Sequence, residues 1–265
     1  MEKEIDKKTA IVTGSTGAIG TAIARQLLST GIFRVIMVIK DEGKAGRIKG
    51  QIIRETGRED IQWYRVDLSR KGEIFHFASR ITEPVNVLVN NAAIAPRYRQ
   101  ETPEGIEMEL ATNVLGYYWM IQAFTGHLKQ AAPSRVVNVA SYWAGDMDFS
   151  DLEFKHRRYN NDTAYRQSKQ ADRMLTVAFA EKLASYGISV NACHPGDVNS
   201  KLSNDLGYGG HESPDQGAMT PVFLATSPEV AESTGKYFAD RREVYCQFSR
   251  DKKGIERLFE ICSQY

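Results

Sequence analysis

Short apolar stretches rich in β-branched residues recur along the chain, and most are followed by a longer stretch whose apolar positions return every three or four residues. The short ones are Ala10–Thr13, Arg34–Ile39, Ile61–Val66, Val85–Asn90, Arg135–Ser141 and Ser189–Cys193. The longer ones are Ile19–Ser29, Ala45–Thr56, Ile74–Ile81, Gly105–Gln130 and Ala164–Tyr186. Nearly continuous apolar strands alternating with helices predict a sheet buried on both faces: an α/β, doubly wound, mostly parallel architecture of the Rossmann type. Two stretches break the rhythm, residues 142–163 and 196–214. Each follows the carboxyl end of a strand, where open α/β sheets bind ligands, so both are read as substrate-side loops. Gly207, Gly209 and Gly210 around Tyr208 suggest a mobile flap in the second, with an ordinary exposed loop as the alternative.

Composition narrows the class. With 265 residues, 42% hydrophobic and 25% charged, and no Pro/Ser-rich linker, residues 1–265 are read as a single soluble domain. A net charge of +1 supplies no electrostatic reason to expect nucleic acid as partner. Cys193, Cys246 and Cys262 form no C-x-x-C spacing, which suits a reducing compartment and predicts no metal site. The charged start Met1–Lys8 leaves no room for a signal peptide, and no apolar run approaches the roughly 20 residues of a membrane span. A cytoplasmic protein without a transmembrane segment is the expectation; peripheral membrane contact and a homo-oligomer stay open.

The candidate chemistry centres on Tyr165-Arg166-Gln167-Ser168-Lys169. Residues four apart share a helix face, so the Lys169 ammonium is placed to favour the Tyr165 phenolate and make a proton-transfer pair. The spacing is weak by itself, because a chain with 12 tyrosines and a similar number of lysines holds such pairs by chance. Its weight comes from its company. Thr13-Gly14-Ser15-Thr16-Gly17-Ala18-Ile19-Gly20 lies between the first strand and the first helix. Glycines there permit a tight turn, and free N–H groups at the helix start can hold a pyrophosphate; a purely structural turn is the alternative.

With Asn90-Asn91-Ala92-Ala93, then Asn113, Ser141, Tyr165 and Lys169, then Pro195-Gly196, the chain resembles the short-chain dehydrogenase/reductase family in motif order over most of its length. Ala18 and Ala93 stand where that family carries glycine. Asn113-Val114-Leu115-Gly116, Val137-Asn138-Val139-Ala140-Ser141 and His194-Pro195-Gly196 are most similar to the branch of retinol dehydrogenases and related lipophilic-carbonyl reductases. The 24 positions from Ser141 to Tyr165 also suit that branch.

The resemblance implies a hydride transfer between a nicotinamide cofactor and an alcohol or carbonyl, with a small-molecule substrate that is bulky or lipophilic. It casts Tyr165 as proton donor or acceptor, Ser141 as a hydrogen-bond donor to the substrate oxygen, Lys169 as ribose ligand and Asn113 as positioner of a relay water. It implies cofactor contacts from Gly14, Ser15, Thr16, Gly17, Ala18 and Ile19, from Asp67 and Leu68, from Asn91 and Ala92, and from Pro195, Gly196 and Val198. Ile39 occupies the position where an acid would bind a ribose hydroxyl, and Lys40 follows it, so NADP is expected and NAD less so. Lys40 as a solvated charge and Asp67 as a helix cap are the alternative readings. Reduction of an activated C=C bond, or a non-catalytic NADP-binding sensor or scaffold, are the alternative functions.

Overall fold

The computed structural model describes residues 7–265; most of the charged start used above lies outside them. Eight strands form one sheet in the order β3-β2-β1-β4-β5-β6-β7-β8. They are β1 (Lys8–Thr13), β2 (Phe33–Ile39), β3 (Ile61–Arg65), β4 (Val87–Asn90), β5 (Ser134–Val139), β6 (Ile188–Cys193), β7 (Tyr237–Ala239) and β8 (Arg242–Glu243). All neighbours pair in parallel except β7 and β8. The expected doubly wound architecture is the one found. The strand order reverses between β1 and β4, which opens a crevice at their carboxyl ends.

Helices α1 (Ala18–Ser29) and α2 (Glu42–Thr56) cover one face. They pack there with α7 (Pro214–Thr226) around Leu27, Ile52 and Leu224. Helices α3 (Lys71–Ser79), α4 (Gly116–Gln130), α5 (Asn161–Leu183) and α8 (Lys252–Ser263) cover the other, around Phe77, Phe124, Met174 and Leu258. Local signals set several ends. The Asp41 carboxylate accepts Gly43 N–H at 3.0 Å, and Gly57 ends α2 with a left-handed φ of 66°. The Asn160 side chain accepts Thr163 N–H at 2.9 Å and starts α5.

The span Gly105–Gln130 is not the uniform helix its pattern predicts. Leu110–Leu115 forms a π-helical turn, in which Gly116 N–H donates five residues back to Ala111 O. Packing imposes it: a side chain at Gly116 would meet Leu68 O at 2.9 Å, so the helix closes against the end of β3 only through that glycine. Helices α7 and α8, the edge strands β7 and β8 and a short helix at Lys201–Asp205 add to the predicted elements. The Ser213/Gln216 capping box, with Pro214 in the first turn, starts α7. The charged C-terminal stretch is α8, whose Ile255, Leu258 and Cys262 are buried.

Candidate active site

The crevice is a cavity of about 430 Å³ at the carboxyl ends of β4, β5 and β6. Its wall brings together Asn91, Ser141, Tyr165, Lys169, Pro195, Gly196, Val198 and Ile19 from five separate segments. The glycine turn forms one edge. Gly14 has a φ of 66°, and a side chain there would meet Ala92 Cα at 2.8 Å. A side chain at Gly20 would meet Gly14 O at 2.3 Å, so both glycines are required by backbone approach. Gly17 caps α1 with extended backbone and no side-chain cap. The first N–H groups of the helix, from Ala18 and Ile19 onward, therefore have no intrahelical acceptor and suit an anionic diphosphate.

Ser15 differs from its expected role. Its hydroxyl is buried and donates to Val12 O at 2.5 Å, and its N–H donates to Val38 O at 3.3 Å. Ser15 holds the turn, while Thr16 and Gly17 lie on its outside. Thr13 joins the turn to the end of β4: its hydroxyl accepts Asn91 N–H at 2.8 Å and Ala92 N–H at 3.0 Å, while Asn91 Nδ2 donates to Thr13 O.

Farther along this edge, the pairing of Ile39 with Arg65 carries the chain ends past each other so that Lys40 meets Asp67. Lys40 Nζ lies 2.9 Å from Asp67 Oδ2, with the lysine side chain 66% exposed. Asp67 also accepts Ser69 N–H and Oγ–H. Partial burial raises its carboxyl, but the Ser69 bonds and Lys40 outweigh this and leave it below the ordinary aspartate range. Leu68 is buried, with its carbonyl facing Gly116.

The proton-transfer candidates come from β5 and α5. Ser141 ends the segment after β5, with its hydroxyl close enough to the Tyr165 phenol to favour its ionised form and accepting Trp143 N–H at 3.1 Å. Lys169 is buried and donates from Nζ to Val139 O at 3.1 Å and Asp172 Oδ2 at 2.9 Å. Asp172 was absent from the expected site, because an acid in a long helix reads as a solvated face. Burial pushes the Asp172 carboxyl up to about 6, against the pull of Lys169. Burial also opposes the Lys169 ammonium, but Asp172 and the phenols of Tyr117 and Tyr165 outweigh it and hold Lys169 above the usual lysine range.

Lys169 favours the Tyr165 phenolate, as the spacing predicts, but it does not prevail in this state. Burial raises the Tyr165 phenol above 10, and Lys169 and the Ser141 hydroxyl recover only part of the rise. Asp172 and Glu109 act in the same direction as burial. Tyr165 therefore rests as a protonated acid.

Asn113 sits on the π-helical turn and does not face the cavity. Its Oδ1 accepts Ile94 N–H at 2.9 Å, and its Nδ2 lies within reach of Ile94 O, Ser168 Oγ and Glu109 Oε1. Its side chain locks the turn, so any hold on a water comes from backbone. Glu109 is fully buried, and burial together with Glu107 raises it well above the carboxylate range. Protonated Glu109 can donate to Tyr159 Oη at 3.1 Å, whose own proton reaches Pro96 O at 3.0 Å, so each donor has an acceptor.

The outer wall is apolar and aromatic. Trp143 meets Tyr208 edge-on at 3.9 Å between ring centroids, and Leu202 and Leu206 of the 196–214 segment add to it. Tyr118 and Trp119 of α4 fill the core and do not reach this wall. His194 lies edge-on to Tyr142 and is driven down to about 4 by burial, which leaves it neutral and unsuited to act as a base. Segment 142–163 is tied down: the Asp151 carboxylate accepts three backbone N–H groups, from Lys155, His156 and Arg157. Gln167 Nε2 donates to Leu152 O.

The chain is similar to known proteins in sequence and in fold. The family described as short chain dehydrogenase matches residues 8–208. Human retinol dehydrogenase 13 is 33% identical over 254 residues, covering 88% of this chain and 76% of that protein. Human retinol dehydrogenase 14 is also 33% identical, covering 96% and 84%. Among solved structures, an actinorhodin polyketide ketoreductase with NADPH superposes with a TM-score of 0.69 at 25% identity, covering 88% of this chain and 95% of that one. A Mycobacterium paratuberculosis protein superposes at 0.80 and 24% identity, covering 97% and 92%, a likeness of fold. A serine, tyrosine and lysine converging beneath a glycine turn at the switch point of this sheet, and a match that runs from β1 into the outer wall of the cavity, place the chain in the short-chain dehydrogenase family.

Proposed function

We propose that the chain is an NADP(H)-dependent oxidoreductase that interconverts a bulky, apolar alcohol and its carbonyl. The observation that carries this reading is the convergence of Ser141, Tyr165 and Lys169 on one cavity whose outer wall is aromatic and aliphatic. The nicotinamide cofactor, when bound, supplies or accepts the hydride. The residues fit such a group: the open start of α1 faces where a diphosphate would lie, and Lys40 stands at the ribose end as an exposed cation. Ser141 orients the substrate oxygen, and Tyr165 delivers or withdraws the proton there, which lowers the cost of charge developing on that oxygen. Trp143, Leu202, Leu206 and Tyr208 exclude water from the reacting carbon. The retinol dehydrogenase names of the relatives support a lipophilic substrate.

The test is to titrate purified protein with NADPH and NADH, and then to follow cofactor oxidation over a panel of aldehydes, ketones and enones. NADPH-dependent turnover of carbonyls is expected, reduced about 10²- to 10⁴-fold in Tyr165→Phe with NADPH affinity kept. Turnover confined to enones would move the reading to C=C reduction. Undiminished turnover in Tyr165→Phe would overturn the assignment of the proton donor.

A further inference from the structure

The Lys169–Asp172 pair extends the reading above and rests on it. Both side chains are at most 2% exposed. Two of the three Nζ protons are committed, to Val139 O and to Asp172 Oδ2. Asp172 Oδ1 has no hydrogen-bond partner, so Lys169 alone holds this carboxylate in the core. Opposite charges in contact act on their surroundings as a dipole, whose potential falls off faster than that of either charge. The Tyr165 ring lies 5.8 Å from Nζ, at a range where this cancellation matters.

Other groups face the same spot from every packed element. Tyr117 of α4, with its ring 5.2 Å from Nζ, Cys193 of β6 and Tyr237 of β7 are all raised by burial and stay neutral. Glu109, on the π-helical turn, is kept as the acid, and His194 after β6 is kept neutral, both by burial. Arg173 is the remaining charge. Its guanidinium lies 3.7 Å from the centroid of the Tyr237 ring and donates to Ser141 O and Tyr237 Oη. Asp172 is therefore the counter-charge to the one ammonium that could draw the proton off Tyr165.

We propose that Asp172 is a positioning residue that acts through Lys169 to hold back the ionisation of Tyr165, so that the phenol gives up its proton at a higher pH than it would beside an unpaired Lys169. The pair then favours donation of the Tyr165 proton to a carbonyl oxygen over removal of a proton from an alcohol. Asp172 touches neither the cavity nor the reacting atoms; its effect is electrostatic.

A titration that needs neither cofactor nor substrate tests this. The full chain is labelled with [¹³Cζ]tyrosine, the Tyr165 resonance is identified by its loss in Tyr165→Phe, and its pH dependence is followed in the wild type, Asp172→Asn and Asp172→Thr. The wild-type signal stays that of the phenol past pH 10. Each variant that removes the carboxylate should lower the midpoint by about one unit or more, a tenfold rise in phenolate at a given pH. A carboxylate that merely braced α5 would cost stability and leave the midpoint in place, so an unmoved midpoint in either folded variant overturns the proposal. Failure of the carbonyl panel would leave this result standing, which separates the two readings.

Discussion

Two Lys–Asp pairs share the same 2.9 Å separation, Lys40–Asp67 past the carboxyl ends of β2 and β3 and Lys169–Asp172 within α5. The first is in water, the second in the core. Around Lys40 the dielectric is high and the pair is weak, so the lysine can leave Asp67 for a phosphate at little cost. Around Lys169 both charges have been stripped of water, and each is tolerable only because the other is present. One pair is thus free to exchange partners and the other is a fixed element of the electrostatic field. Distance alone does not distinguish them; burial does.

The largest break in that comparison comes from removing one buried partner. Lys169→Met should cost about 3–5 kcal/mol in chemical denaturation, because Asp172 is left as an uncompensated charge, and it should abolish turnover. Adding Asp172→Leu to it should restore much of the stability and none of the activity. An additive loss in the double variant would show that the pair is not coupled.

The exposed pair should behave in the opposite way. Lys40→Ala should change stability by less than about 0.5 kcal/mol. It should weaken NADPH binding about tenfold or more and leave NADH unchanged, read by cofactor titration. Equal weakening of both nucleotides would remove Lys40 as the reader of the 2′-phosphate.

The subtlest test concerns Glu109, a carboxyl kept neutral by burial. Its pKa is raised on folding, so the unfolded chain ionises first and the native state loses relative stability as pH climbs above the ordinary carboxylate range. Below that range the wild type and Glu109→Gln should melt alike. Above it the variant should be the more stable, with a gap that widens by up to about 1.4 kcal/mol per pH unit until Glu109 itself ionises. A melting-temperature gap independent of pH would mean that Glu109 is ionised in the native state.

Much of the fold was written locally. Six apolar runs identify the six long parallel strands, and the glycines at 14 and 20 mark the turn because only they permit the backbone contacts found there. The starts of α7 and α8 carried signals too. Ser213-Pro214 with Gln216 is a capping box, and Ile255, Leu258 and Cys262 share a face, but a high content of charged residues masked that stripe.

Serine 141, Tyr165 and Lys169 were legible as motif residues, and their meeting in one cavity follows from the order of β5, α5 and β6 in the sheet. Their protonation states were not. A tyrosine four residues before a lysine reads as an acidified phenol, since local spacing records only the nearest charge. The π-helical turn at Asn113 was equally hidden, because it follows from Gly116 closing on Leu68 and Asn113 on Ile94, contacts between segments far apart in the chain.

The amino-acid pattern by itself determined the order of elements, the glycine turn and the set of polar side chains available for chemistry. These depend on periodicity and on the conformational limits of single residues. Tertiary structure alone decided that Ser15 faces inward, that the Glu109 carboxyl is pushed above the carboxylate range and that Asp172 pairs with Lys169 in the core. Each of these depends on how much water packing removes, which is a property of the whole assembly around a residue and not of its neighbours in sequence.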